Sequence, residues 1–171
     1  MIPDPLHPAV VHFPIVLLIL GAPLAVVAVF LRRWHLPVLA AAVLALGAAG
    51  AVVATVTGEE DSEMAGELAG SGENVLEEHE EWGERARNFG VIAAVLAIVS
   101  ASLFRMPVAG RAVGAVAAIA ALAAAASVAQ AGHYGGQVVY KHGIGVSAGA
   151  EISASQPGAG REGNEGKMHG D

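Results

Sequence analysis

Four long apolar runs constrain the fold of this chain more than any other feature. They cover residues 10–31, 36–57, 87–105 and 112–133. Each approaches the roughly 20 residues that an α-helix needs to cross about 30 Å of hydrocarbon. No polar face recurs along any run, as it would on the helices of a water-soluble bundle. The sequence therefore predicts an all-α fold, an integral membrane four-helix bundle whose successive helices are antiparallel.

The composition agrees with a membrane protein and excludes several kinds of site. Charged residues make up 15% of the chain, against about 25% in a soluble domain. The chain has no cysteine, which excludes disulfides, thiolate metal sites and covalent haem attachment through Cys-x-x-Cys-His. The net charge is −7, and eleven of the sixteen acidic residues lie within residues 59–84. Because a basic footprint is absent, nucleic-acid binding is excluded.

Two segments differ in composition from the apolar runs. Residues 59–84 are rich in glutamate, and we expect a long acidic loop containing an amphipathic helix around Val75–Trp82. After Ser147 the chain is rich in glycine, serine, alanine and glutamate and has no periodicity, which is typical of disorder. The prediction is one four-span domain, residues 1–147, followed by a disordered C-terminal tail, residues 148–171.

Arginine placement predicts the orientation. The two short connections, between the first and second runs and between the third and fourth, carry Arg32, Arg33, Arg105 and Arg111. Positively charged short loops stay in the cytoplasm. We therefore expect both termini and the acidic segment on the extracytoplasmic side of the membrane. The opening Met-Ile-Pro-Asp-Pro lacks a basic leader, so we expect the first run to be a true span and no cleavable signal peptide.

Five of the seven histidines fall at segment ends that share the outer face of such a bundle: His7, His12, His79, His133 and His142. Only His35 falls on the inner side, and His169 is in the tail. Ionisable groups within membrane segments are candidates for function. We therefore expect a cofactor site at the outer face.

Histidine without cysteine leaves three kinds of site. These are a haem b with one or two axial imidazoles, a non-haem metal ion held by histidine and carboxylates, and a proton relay. Glycines beside His79, His133 and His142 favour haem, because a flat ring needs small residues where it meets a helix. The same three histidines, together with His12, are the candidate ligands of a non-haem ion. Three cations lie at a suitable level to meet haem propionates: Arg85, Arg87 and Lys141.

The nine residues between His133 and His142 make two and a half helical turns, so one continuous helix would point these side chains in opposite directions. We therefore expect the helix to break or bend at Gly135-Gly136. The segment Gln137–Tyr140 would then fold His142 back over the site.

Several motifs resemble those of a known family. The stretches LHPAVVHFPI (Leu6–Ile15) and GHYGGQVVYKHGIGV (Gly132–Val146) resemble the end motifs of a bacterial four-span membrane family catalogued as domain of unknown function 2231, transmembrane form. Thr57-Gly58 and His79–Gly83 match as well. The resemblance implies a location in the bacterial inner membrane. Relatives occur joined to, or encoded beside, Rieske-type and c-type cytochrome domains, which implies respiratory electron transfer by association.

The leading hypothesis is a membrane-bound, b-type cytochrome-like electron-transfer protein with one or two haems b at the extracytoplasmic side. A Rieske-type or c-type cytochrome is the implied redox partner. The alternatives are a non-haem metal-binding or metal-transport protein that uses the histidines and the acidic segment, and a structural subunit of a respiratory complex. An electron carrier or complex subunit fits this pattern better than a stand-alone enzyme. The oligomeric state stays open.

The orientation yields a direct test. Alkaline phosphatase fused to the C-terminus is expected to be active in intact cells, because the arginine-bearing loops hold the opposite face in the cytoplasm. Activity from a cytoplasmic-only reporter at the same position, with none from the phosphatase, would reverse the orientation.

Overall fold

The chain folds into four long helices in a computed structural model that describes residues 10–32, 35–69 and 73–142. The helices are α1 (His12–Phe30), α2 (Leu36–Ala69), α3 (Glu73–Ser102) and α4 (Pro107–His142). Within the described ranges there is no strand, and the predicted all-α four-helix bundle is confirmed. The predicted disordered tail, residues 148–171, lies outside the described residues.

The helices form a square arrangement. α1 and α3 each pack against both α2 and α4. Successive helices run in opposite directions, so the end of α1 meets the end of α3, where Arg32 bonds Ser100. We call this end the arginine face, defined by Arg32, Arg105 and Arg111. The opposite end is the histidine face, defined by His12, His79 and His133.

Small residues fill the centre of the bundle, and large apolar residues cover its outside. Most of the buried hydrophobic residues are alanines, and the largest fully buried side chains are Leu18 and Leu44, which are 1% and 0% exposed. Leucine, isoleucine, valine and phenylalanine are abundant among the exposed residues. This distribution suits a protein surrounded by lipid, where small residues let helix backbones approach closely. All four helices are long and apolar enough to span a membrane: His12–Phe30, Leu36–Gly58, Glu73–Ser102 and Pro107–Lys141.

Both large core leucines fit against glycines of neighbouring helices. A methyl group built on Gly21 would lie 2.7 Å from Leu44 Cδ2, and one built on Gly47 would lie 3.1 Å from Leu18 Cδ2. Leu18 also lies 3.3 Å from the position that a Cβ would take at Gly90. The two leucines thus fix α1, α2 and α3 at short separations that a larger residue at these glycines would prevent.

The predicted acidic loop is wrong, whereas the helix expected within it around Val75–Trp82 is confirmed as the start of α3. α2 continues to Ala69 and α3 begins at Glu73, so most of the segment 59–84 is helical. Glutamate and alanine are good helix formers, and a helix that is already formed in the membrane extends at little cost because nucleation is complete. The helices therefore continue beyond the apolar spans at the histidine face.

The predicted break at Gly135-Gly136 is also wrong, because α4 runs without interruption to His142. Glycine in a helix costs about 1 kcal/mol relative to alanine. Here α3 packs alongside, and a methyl group at Gly135 would lie 2.9 Å from the ring of His79. The glycine is thus a packing position in a continuous helix, and the expected return of His142 over the site by a chain reversal does not occur.

The glycine contacts predict a specific loss of stability. Gly21→Val is expected to destabilise the bundle by about 1–3 kcal/mol through overpacking against Leu44. Gly132→Val is the matched control, since nothing lies within 4 Å of a Cβ at that position. The two substitutions change helix propensity equally. Unfolding of both variants in mixed SDS and non-ionic micelles, followed by circular dichroism, measures the difference. Equal midpoints would contradict the close packing described for Gly21.

Candidate cofactor site at the histidine face

His79 is held in place by α4. Its Nδ1 atom lies 2.8 Å from the backbone carbonyl oxygen of Ala131. Its ring packs on Gly135, where a Cβ would lie 2.9 Å from Cε1. The side chain is half-buried. Two residues one helical turn apart on α4 therefore fix both the position and the rotation of this imidazole.

The hydrogen bond also fixes the tautomer of His79. A carbonyl oxygen only accepts, so Nδ1 carries the proton and donates it, and the neutral ring has its lone pair on Nε2. Histidines that bind metal through Nε2 characteristically donate the other ring N–H to a carbonyl or carboxylate, which orients the ring and raises its basicity. His79 thus has the chemistry of an iron or metal ligand.

A small-residue surface lies next to His79. Gly83 follows it by one turn and lies two turns before Gly90, which packs against Leu18. Gly83 and Gly90 therefore share a face of α3. Nothing lies within 4 Å of the position that a Cβ would take at Gly83. Gly90 contacts Leu18, and α3 runs in the same direction as α1. Gly83 lies seven residues before Gly90, and Val11 lies seven residues before Leu18. Gly83 is therefore level with the start of α1.

The structure does not bring His133 together with His79. Ala131 and Gly135 both face α3, and His133 lies two residues from each, so it projects from the other side of α4. Its side chain is exposed, and its Nε2 accepts a hydrogen bond of 2.9 Å from Gln137 Nε2. Its ring meets Tyr134 edge to face, with the centroids 5.5 Å apart.

The other predicted ligands have different positions. His12 is the first residue of α1 and is exposed. His12 lies six residues before Leu18, which is level with Gly90 of α3. His12 is therefore level with Glu84, six residues before Gly90, and lies roughly 8 Å nearer the membrane than His79. His142 is the last residue of α4, and its side chain lies outside the described part of the structure. His7 lies outside the described residues altogether.

The predicted propionate partners already have neighbours on their own helices. Arg85 forms an ion pair of 2.7 Å with Glu81 and lies 4.5 Å from the centroid of Trp82. Arg87 lies 3.7 Å from Glu84. Lys141 donates to Gln137 Oε1 at 2.8 Å and has no carboxylate partner among the described residues. Exposed ion pairs contribute little, but Arg87 also donates from Nη1 to Thr55 Oγ1 of α2 at 3.5 Å. Arg87 is therefore held between two helices, whereas the contacts given for Arg85 and Lys141 lie within their own helices.

A site with three or more protein ligands finds no support in the described part of the chain. Among the side chains that the structure describes, those of residues 10–32, 35–58 and 73–141, no group of three His, Asp or Glu lies close enough to hold a metal ion. The imidazole of His79 is the histidine at this face whose ring is held by a second helix.

The sequence identified His79 but missed its partners. The sequence predicts a helix break at Gly135, whereas this glycine is the surface on which the imidazole packs. The carbonyl of Ala131 carries no signal in a sequence, because only the register of α3 against α4 selects it.

Comparison with known proteins identifies the family. A family described as "Predicted membrane protein (DUF2231)" matches residues 3–148, which is most of the chain, and the chain belongs to that family. No curated protein and no solved structure matches it.

The contacts of His79 predict a local structural role that differs from that of His133. His79→Ala is expected to cost about 0.5–1.5 kcal/mol and to speed hydrogen exchange in residues 73–82 and 131–142. His133→Ala is the control, because its partner Gln137 is on the same exposed helix surface. Hydrogen exchange with mass spectrometry measures both. Unchanged protection in His79→Ala would show that the Ala131 contact does not stabilise this end of the bundle.

Proposed function

We propose that this member of the DUF2231 family is a membrane-bound, b-type cytochrome-like electron-transfer protein that binds haem b at its histidine face. The observation that carries the proposal is the hydrogen bond from His79 Nδ1 to the carbonyl of Ala131. This bond supports the proposal, because axial histidines characteristically donate one ring N–H to a carbonyl or carboxylate, which holds the ring in one orientation.

Each neighbouring residue has a role in this proposal. His79 ligates through Nε2, and Gly135 sets its ring against α4. Gly83 leaves a flat surface one turn from the ligand, and the ammonium of Lys141 is the propionate partner without a competing carboxylate among the described residues. Haem, when bound, supplies one-electron redox chemistry, while the protein supplies the ligand, the orientation and the electrostatics.

The wider setting of the proposal comes from the sequence. The arginine-bearing loops favour an extracytoplasmic histidine face in a bacterial inner membrane. Electrons would enter from a quinol or a membrane partner and leave to a periplasmic acceptor, such as a Rieske-type or c-type cytochrome. Non-haem metal binding by the histidines and the acidic segment is the alternative.

An absorption spectrum tests the proposal. Protein purified from haem-replete cells is expected to give a reduced-minus-oxidised difference spectrum of the b type. His79→Ala is expected to abolish the spectrum or shift it strongly, because the oriented ligand is lost. Gly83→Leu is expected to weaken it by filling the surface beside the ligand. His35→Ala, at the opposite end of the bundle, is the control and should leave it unchanged.

Further variants identify the second ligand. The same spectrum is recorded for four further variants and compared with that of His79→Ala: His7→Ala, His12→Ala, His133→Ala and His142→Ala. The variant that converts a low-spin spectrum into a high-spin one lacks the second axial imidazole. His133→Ala is expected to leave the His79-dependent band intact, since the two side chains lie on different sides of α4. A colourless protein from haem-replete cells would contradict the proposal, and stoichiometric zinc, copper or iron in it would favour the metal-binding alternative.

A further inference from the structure

The arginine face contains a guanidinium that the proposed function does not use. Arg32 follows α1 and is half-buried between α3 and α4. Its Nη1 donates to Ser100 Oγ at 3.1 Å, and its Nη2 donates to the carbonyl oxygen of Ser100 at 3.0 Å. Ser100 is 4% exposed, and its hydroxyl donates to the carbonyl of Gly110 at 2.7 Å. The guanidinium is therefore held in one place by a buried polar group.

Two glycines of α4 make room for this arrangement. A Cβ at Gly110 would lie 2.7 Å from Arg32 Nη2, and a Cβ at Gly114 would lie 2.8 Å from Ser100 Oγ. Larger residues at either position would push the arginine or the serine out of the groove. The position of the guanidinium is thus built into the packing of α3 and α4.

The arginine face carries positive charge, and the described residues supply no carboxylate to balance it. Neither Arg32, Arg105 nor Arg111 has a carboxylate partner among the described residues. The sequence contains no Asp or Glu between residues 5 and 58, or between residues 85 and 150, so no acidic residue precedes or follows these loops closely. A guanidinium has five N–H donors, and Arg32 makes two bonds, both to Ser100. Donors and charge therefore remain for an external anion.

A pocket lies beside this guanidinium. It has a volume of about 100 Å³, and its lining residues are Arg32, Pro37, Val38, Ala101 and Phe104. Apart from the arginine these residues are apolar, and Phe104 and Val38 are 71% and 54% exposed on the outside of the bundle. The pocket thus combines a fixed cation with an apolar wall that faces the lipid at the end of the spans.

We propose that this pocket binds the phosphate of an anionic phospholipid headgroup, with Arg32 as the phosphate ligand. Guanidinium groups bind phosphate through charge-assisted, often paired hydrogen bonds. Basic pockets between transmembrane helices are suited to anionic headgroups. A lipid is favoured over a soluble anion because the apolar wall of Val38 and Phe104 fits the acyl end of a phospholipid.

Thermal unfolding of the full chain in neutral detergent tests the proposal. Phosphatidylglycerol at about a hundredfold excess over its Kd is expected to raise the Tm by roughly 5–10 °C. The same molar amount of phosphatidylcholine, or of inorganic phosphate, is expected to give less than half of that rise. Arg32→Gln is expected to lose the difference between the two lipids.

Two further variants separate the pocket from the general charge of this face. Val38→Trp fills the pocket and leaves the Arg32–Ser100 bonds in place, so it is expected to lose the phosphatidylglycerol effect and decides the question if Arg32→Gln does not fold. Arg111→Gln is the matched control: it removes one positive charge from the same face, but Arg111 does not line the pocket, and most of the effect should remain. An undiminished effect in Val38→Trp, or an equal rise with phosphatidylcholine or inorganic phosphate, would overturn the proposal.

Discussion

Within a bilayer, an apolar side chain gains nothing by moving from lipid into protein, so these four helices associate through close contact between small residues. The alanine-rich interior allows this contact, and Leu18 and Leu44 interlock with glycines of the adjacent helices. Dispersion contacts are individually weak and become large only when many atoms touch. The rest of the structure depends on this packing, because it fixes the register that sets His79 opposite Ala131 and Arg32 opposite Ser100.

The same packing limits where chemistry can occur. Between the helices, the cavity lined by Ala25, Ala97 and Ala117 has a volume of about 20 Å³, far smaller than a cofactor. Both proposed sites accordingly lie at the ends of the bundle, one at the histidine face and one at the arginine face. The charges separate in the same way: the acidic residues flank the histidine face, whereas the loops of the arginine face contain none. One end is suited to an oriented imidazole, and the other to an external anion.

The sequence predicted the four helices and their order because span length and hydropathy are local properties. Topology then placed His12, His79 and His133 at one end. The sequence did not predict where α2 ends and α3 begins. The membrane boundary changes the side chains from apolar to acidic, but glutamate, like alanine, is a good helix former, so the helix continues. The sequence also misjudged Gly135, because a glycine that ends a helix and a glycine that admits a neighbouring ring look alike in a sequence. Only the register of α3 against α4 distinguishes them.

The histidines illustrate why depth in the membrane is a poor guide to function in this fold. His12 and His133 lie nearest the apolar runs, and the sequence favoured them for that reason, yet both are exposed. Residues three, four and seven positions before His133, which are Gln130, Ala129 and Ala126, are also exposed, so His133 continues the outer stripe of α4. His79 lies farther from the hydrocarbon, but it is half-buried and has a defined tautomer. The orientation of this ring therefore comes from its contact with a second helix and not from its depth in the membrane.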